Sequence, residues 1–307
     1  MVHIDSLDIL FDKENPVYFP GEYLNGQVSL KLSDDLKINS VRLILRGDAK
    51  VYWVKDVSSA DEYKKIHNVH SNENYFHLDL NIINKETCPY LRSGYHHYPF
   101  SIKLPDNLPS TFHHDHGKIQ YSIKALIDIP WGFDKEIKKP FIMMANKDLN
   151  LIQGLNEIKT VLDQKIMGFG LIKSKPIRIV FTVLKTGFVP GESVIFSVSI
   201  ENESNRDVLN MKVTLIQNCK FTVNDESITD RRKLNSIEYD KRIIAKTTER
   251  WTCSSFVIPL QLCPTSDDAC NLIHVSYELV LKFDSSGFSK SKKISIPIVI
   301  GTVPIRN

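Results

Sequence analysis

Tyr18-Phe19-Pro20-Gly21-Glu22 returns 170 positions later as Phe188-Val189-Pro190-Gly191-Glu192. The match widens on both sides of these five residues. Leu7, Ile9 and Phe11 fall opposite Ile177, Ile179 and Phe181, and Val41, Leu43, Leu45 and Val51 fall opposite Met211, Val213, Leu215 and Phe221. One ungapped register holds from residue 7 to residue 51, so a single fold is built twice in tandem. Within each copy the Pro-Gly step reads as a type II turn. Proline presets φ at the second position, and glycine accepts the positive φ of the third. The glutamate that follows either accepts backbone N–H bonds or is solvated; both readings are open at this stage.

Strand patterns fill the rest. Val28, Leu30 and Leu32 alternate with polar neighbours, as do Phe76, Leu78, Leu80 and Ile82, and Ile119, Tyr121, Ile123, Ala125 and Ile127. A period of two places each set on one face of a pleated strand. The second half repeats the pattern over 177–183, 194–200, 211–215, 275–283 and 294–300. Turn dipeptides separate the runs. These signals predict an all-β chain of two antiparallel, immunoglobulin-like sandwiches. The expected division is residues 1–150, a linker over 151–175, and residues 176–307. Leu155, Ile158, Leu162 and Ile166 have helical spacing, so the linker is expected to carry a helical turn or two before Met167-Gly168-Phe169-Gly170 breaks it. Tyr121 and Tyr277 stand 156 apart, so the first copy carries fourteen extra residues. The polar stretch 54–75 is their expected place, read as a long mobile loop.

Composition narrows the function. The 307 residues are 42% hydrophobic and 24% charged, with a net charge of +3, too small to argue for nucleic acid. The basic runs at Arg231-Arg232-Lys233 and Lys290-Ser291-Lys292-Lys293 are expected at solvated loop ends. No signal peptide is visible at the N-terminus, and no apolar run approaches the ~20 residues of a membrane helix. Five cysteines without regular spacing suit reduced thiols, so a cytoplasmic protein is expected.

Catalytic patterns are missing: there is no G-x-S-x-G elbow, no phosphate-binding G-x-x-x-x-G-K-[ST] loop and no H-E-x-x-H. His113, His114 and His116, with His96 and His97, raise the alternative of a metal-binding sandwich. Adjacent residues of a strand face opposite ways, so His96 and His97 cannot share one ion there, and exposed loop histidines are the expectation. No cofactor is expected.

The residues of both copies resemble the arrestin N and C domains of the α-arrestin, or arrestin domain-containing, family. The first half carries Pro20-Gly21-Glu22, Gly117 with Tyr121, and Ile129-Pro130-Trp131. The second carries Pro190-Gly191-Glu192, Trp251 and Tyr277. These are taken as structural signature residues, and the similarity runs in order along nearly the whole chain. The resemblance implies a non-enzymatic adaptor that binds cytoplasmic tails of membrane proteins and promotes their endocytosis, sorting or ubiquitination. It implies residence at the plasma membrane or endosomes through partners, without direct membrane insertion. A coat subunit of a retromer-like complex is the alternative within the same fold. Relatives recruit a ubiquitin ligase through Pro-Pro-x-Tyr motifs, and this chain, which has no Pro-Pro dipeptide and ends six residues after Gly301, departs from that pattern. Phe11-Asp12-Lys13-Glu14 lacks the lysine pair of phosphate-sensing arrestins. Thr248 stands where thioredoxin-binding members have cysteine, so no mixed disulfide is expected.

Overall fold

The computed structural model describes residues 4–56, 66–166, 168–169, 172–286 and 291–306. Two compact units divide the chain. One comprises Met1–Ala145 with Phe221–Ser227 and Asp267–Ile273; the other comprises Asn146–Lys220, Ile228–Ser266 and His274–Asn307. No α-helix occurs among the described residues; one 3-10 turn spans Leu149–Leu151.

The first unit contains β1 (Ile4–Phe11), β2 (Val17–Tyr18), β3 (Tyr23–Leu32), β4 (Leu36–Lys37), β5 (Ser40–Asp56), β6 (Ile66–Asn84), β7 (Tyr90–Leu91), β8 (Gly94–Lys103), β9 (Phe112–His114), β10 (Gly117–Asp128) and β11 (Lys135–Met143). One sheet has the order β1-β3-β8; the other has the order β2-β11-β10-β5-β6, with β9 on β10. Alternation accounts for the core. Ile9, Val28 and Leu30 of one sheet and Val41 and Leu45 of the other are fully buried, while their sequence neighbours are more exposed; β10, at the centre of its sheet, buries Leu126 as well as Ile123 and Ile127. Each such aliphatic side chain contributes about 1.5–3 kcal/mol by leaving water.

The second unit is built from β12 (Lys159–Lys165), β13 (Gly168–Phe169), β14 (Ile172–Lys173), β15 (Ile177–Val183), β16 (Gly187–Phe188), β17 (Ser193–Asn202), β18 (Val208–Val223), β19 (Glu226–Tyr239), β20 (Thr248–Val257), β21 (Ile273–Ser285) and β22 (Lys292–Ile300), apart from the ends of β18, β19 and β21 that fall in the first. Its sheets have the orders β12-β15-β17-β20 and β16-β22-β21-β18-β19. Strand for strand, β15-β17-β20 repeats β1-β3-β8, and β16-β22-β21-β18-β19 repeats β2-β11-β10-β5-β6. Even the parallel contact recurs: Val17 pairs with Ile142 as Gly187 pairs with Val299. The internal repeat is thus a repeat of topology, with β12 added to the second copy.

Three expectations are corrected. Residues 159–165 form β12, antiparallel to β15, and not a helix. A spacing of four fits a strand face as well as a helix face, because four is a multiple of two. Ile158, Leu162 and Ile166 lie along the exposed side, and β-branched Thr160 and Val161 favour the extended form. Most of 54–75 is not a loop either. β5 and β6 continue as a paired ladder out to Asp56 and Ile66, with Trp53 opposite Val69 and both buried; residues 57–65 lie outside the described set. Only every second residue of such a ladder must be apolar, so its polar composition misleads. Finally, Arg231-Arg232-Lys233 sits within β19, and Arg231 pairs with Glu278. In the other basic run, Lys292 and Lys293 belong to β22, and Lys290 lies outside the described residues, as do Met167 and Gly170.

Candidate functional site: turns, strand edges and an open sheet face

The two Pro-Gly turns are alike atom for atom. Gly21 has φ +78° and Gly191 φ +86°. Glu22 N donates to Phe19 O and Glu192 N to Val189 O, each at 3.1 Å, which closes a type II turn. The glutamates accept backbone N–H bonds: Phe19 N donates to Glu22 Oε2 at 2.9 Å and Val189 N to Glu192 Oε2 at 3.1 Å. The other oxygen of each receives a lysine, Lys13 or Lys185, whose ammonium also lies over the ring of Tyr18 or Phe188. Burial alone would raise the Glu22 pKa, but the Lys13 and Phe19 hydrogen bonds outweigh it and hold the carboxyl below its usual range. A folded pKa below the unfolded one gives stability that is present above about pH 4.3 and lost as pH falls through the folded value. Glu22→Gln keeps an acceptor for Phe19 and loses only the charge. It is expected to cost up to about 1 kcal/mol at pH 7 and nothing below the folded pKa, as urea melts at the two pH values would show.

The remaining signature residues hold the frame. Tyr121 donates its hydroxyl to Pro109 O at 2.6 Å, and Tyr277 donates to Cys263 O at 2.7 Å while accepting from Gln217 at 3.0 Å. Burial pushes both phenols far above their ordinary range. Gly117 brings β10 close to β5, since a Cβ there would meet Lys50 O at 2.9 Å. Trp251 packs edge-on against Phe196 at 5.0 Å. Trp131 stands apart from this group: it is fully exposed at a hairpin tip.

None of the signature residues lines the grooves that the described residues of the two units form. Among the described residues β1 pairs with β3 alone, so no strand hydrogen-bonds to its other edge, although β11 runs beside it. In the second unit the matching edge, that of β15, is covered by β12. Asp12 N donates to Asn25 O, so by the two-residue period Leu7, Ile9 and Phe11 aim their N–H groups at the open side. Ile9 N is bonded by the Asp8 carboxylate at 2.9 Å, and the same carboxylate pairs with Lys139 of β11 at 2.7 Å. β12 shows the same device. Gln164 N donates to Asp163 at 2.7 Å, and Asp163 pairs with Lys292 of β22 at 2.8 Å. An aspartate that satisfies an edge N–H and is tethered by a lysine blunts an open strand against unwanted pairing. Sequence reasoning missed all four residues. Asp8 and Asp163 are not equivalent in the repeat, and their lysines come from distant strands.

The outer face of β12-β15-β17-β20 forms a shallow groove of about 730 Å³. Leu162, three-quarters exposed, and Val180 make its apolar floor, flanked by Ser199, Gln164 and Thr248. Arg178 is held by Glu201 and Glu203 at 3.0 Å each. The face therefore offers hydroxyls and short apolar contacts beside the carboxylates of Asp163 and Glu201, which outnumber the one lining cation, Arg178.

Comparison with known proteins fits this architecture. Residues 7–150 match the model of the arrestin (or S-antigen) N-terminal domain, and residues 173–305 match that of the arrestin C-terminal domain. The chain belongs to the α-arrestin family. Among curated relatives of this arrestin, arrestin domain-containing protein 17 of Caenorhabditis elegans is 27% identical over 99% of the chain and 72% of that protein. Human arrestin domain-containing protein 4 is 25% identical over 98% of the chain and 72% of its own length. The rat thioredoxin-interacting protein is 24% identical over 97% of the chain and 74% of its own length. Arrestin-family proteins are adaptors that bind other proteins.

His96 and His97 lie in β8 and His113 and His114 in β9, in strands and not in loops as expected, with His97 and His113 exposed. His116 N donates to His114 Nδ1 at 3.2 Å, the two rings lie 5.5 Å apart, and His114 stacks on Phe112. His96 bonds Arg92 O and stacks on Tyr98, while His97 points to the other face of β8. Among the described residues no three His, Cys, Asp or Glu side chains converge as metal ligands. All five cysteines are free thiols, and burial raises the pKa of Cys219 to about 12. No helix of the described residues is long and apolar enough to cross a membrane.

Proposed function

We propose that this arrestin is a non-enzymatic trafficking adaptor that captures cytoplasmic tails of membrane proteins and promotes their endocytosis or sorting. The observation that carries this reading is the unpaired edge of β1. The same chain covers the matching edge in its second copy with β12, so β12 is an internal template for what β1 accepts. A cargo tail would add as a strand along Leu7–Phe11. Main-chain hydrogen bonds supply affinity, and alternate side chains supply selectivity. To dock, the tail must displace the Asp8 carboxylate from Ile9 N.

The test uses the full chain and an array of cytoplasmic-tail peptides, read by hydrogen exchange. A bound peptide is expected to slow exchange at Leu7, Ile9 and Phe11 by about tenfold, the worth of one net hydrogen bond. Asp8→Ala, which unblocks Ile9 N, is expected to raise affinity by about two- to fivefold. Val180→Arg, in the groove of the second unit, serves as the control. Loss of binding there with unchanged exchange along β1 would move the cargo site to the groove. A protein that bound no tail, from cells that sorted every surface protein normally without it, would end the adaptor reading.

A further inference from the structure

Three turns in this chain place proline at the second position and close with an i+3 N–H to carbonyl bond. Two of them, at Phe19–Glu22 and Val189–Glu192, put glycine at the third position, where φ is positive. The third, Ile129-Pro130-Trp131-Gly132, closes through Gly132 N to Ile129 O at 3.2 Å and puts tryptophan there, with φ +62°. An L side chain at positive φ is strained, and a bulky one more so. The strain wins nothing inside the protein: Trp131 is 104% exposed and Phe133, two residues on, is 93% exposed. The tip is nonetheless fixed. Asp134 accepts Ile129 N at 3.3 Å, and Ile129 packs on the buried cluster of Leu30, Leu32, Leu36, Ile38 and Ile127.

The same end of the first unit carries two more exposed aromatic rings. Asn39 donates to Asp128, Lys37 pairs with Tyr90, and Lys31 pairs with Tyr95, so these loops are tied into one rim. Tyr90 is 52% exposed and Tyr95 70% exposed, and each lies under a lysine, Lys37 at 5.8 Å and Lys31 at 5.4 Å. Tryptophan and tyrosine backed by lysine is the residue set that settles at the boundary of lipid and water, with rings at headgroup depth and ammonium groups in water. The tip is convex and its three residues are uncharged, so it enters its partner instead of receiving one. Charge at the rim is largely satisfied internally: Arg92 pairs with Asp35, Lys31 with Asp5, and Asp134 with the loop backbone.

We propose that the Trp131-Gly132-Phe133 tip is a lipid-interface anchor, which dips two rings into the headgroup region of a bilayer and draws its attraction from apolar burial. This replaces the expectation that the chain reaches membranes through partners alone; a two-ring anchor needs no long apolar segment. Such a contact is reversible, and stable residence takes a second attachment. The inference does not depend on where cargo binds.

The protein supplies its own probe. Of three tryptophans, Trp53 and Trp251 are buried and Trp131 is exposed, so a solvent-dependent change in emission reports the tip. With phosphatidylcholine vesicles, emission is expected to move to shorter wavelength and to be quenched by brominated acyl chains. Added phosphatidylserine or salt should change partitioning little. Phe133→Ser is expected to weaken partitioning about ten- to a hundredfold, the worth of one buried ring. Trp131→Gly, which removes the probe and is read by vesicle co-sedimentation, should weaken it similarly while the melting temperature stays equal or rises, because glycine relieves the turn. Three outcomes would overturn the proposal: no spectral change with any vesicle; binding that requires phosphatidylserine, vanishes in salt and ignores Trp131→Gly; or self-association abolished by Trp131→Gly in a protein that ignores vesicles.

Discussion

Phe196→Ala is expected to destabilise the second unit by about 3–5 kcal/mol, enough to leave a typical domain largely unfolded at modest urea concentrations. Phe196 is 1% exposed and sits at the centre of an aromatic cluster. Its ring meets Phe181 at 6.0 Å, Trp251 at 5.0 Å and Phe256 at 6.2 Å, all three edge-on. Truncation removes the burial of a whole ring and leaves a cavity walled by three others that cannot collapse together. The three lost edge-to-face contacts, each about 0.5–1.5 kcal/mol, are contained in this range and place the cost toward its upper end. Phe196→Leu fills much of the space and should cost far less, about 1–1.5 kcal/mol. Trp251 fluorescence during urea unfolding measures both variants. A Phe196→Ala protein with an unchanged midpoint would mean that this cluster is not the core of its unit.

Gly191→Val should cost about 2–3 kcal/mol in the same unit. The turn requires φ +86°, which a β-branched residue resists; the new Cβ would also stand 3.0 Å from the end of the Leu260 side chain, but that side chain is exposed and can move aside, so backbone strain dominates. Gly21→Val in the first unit meets the same backbone constraint at φ +78°, with an exposed Asp106 carboxylate 2.6 Å from the new Cβ that is free to swing away. Backbone strain therefore dominates there too. Asparagine, which tolerates the left-handed region, should recover much of the loss at either site. Equal melting temperatures for Gly191→Val and the parent would contradict the turn geometry itself.

The repeat around Pro20-Gly21-Glu22 was enough to read two tandem sandwiches, because turn chemistry and two-residue alternation are local and leave their mark in adjacent letters. The same locality explains the errors. In 155–166 a four-residue spacing satisfied both the helical and the strand period, and only the pairing of β12 with β15 decides between them. The stretch 54–75 looked like loop because its ladder buries few residues, chiefly Trp53 and Val69. Surfaces were less legible than the frame. Asp8 and Lys139 are 131 positions apart, and nothing in either neighbourhood marks them as partners. Trp131 was visible in the sequence as one of a series of signature residues, but its exposure and positive φ were not.

The aspartates at the outer edges of the two sheets have a bearing on how a duplicated fold ages. Gene doubling hands each copy the same liability, a raw flank able to stack against a neighbouring molecule. Here one copy shields β15 with an extra ribbon and then guards that ribbon; the other guards β1 directly. The guarding carboxylates, Asp8 and Asp163, occupy unrelated places in the repeat. Superposing the halves by sequence alone would therefore pass over the carboxylates that blunt each flank.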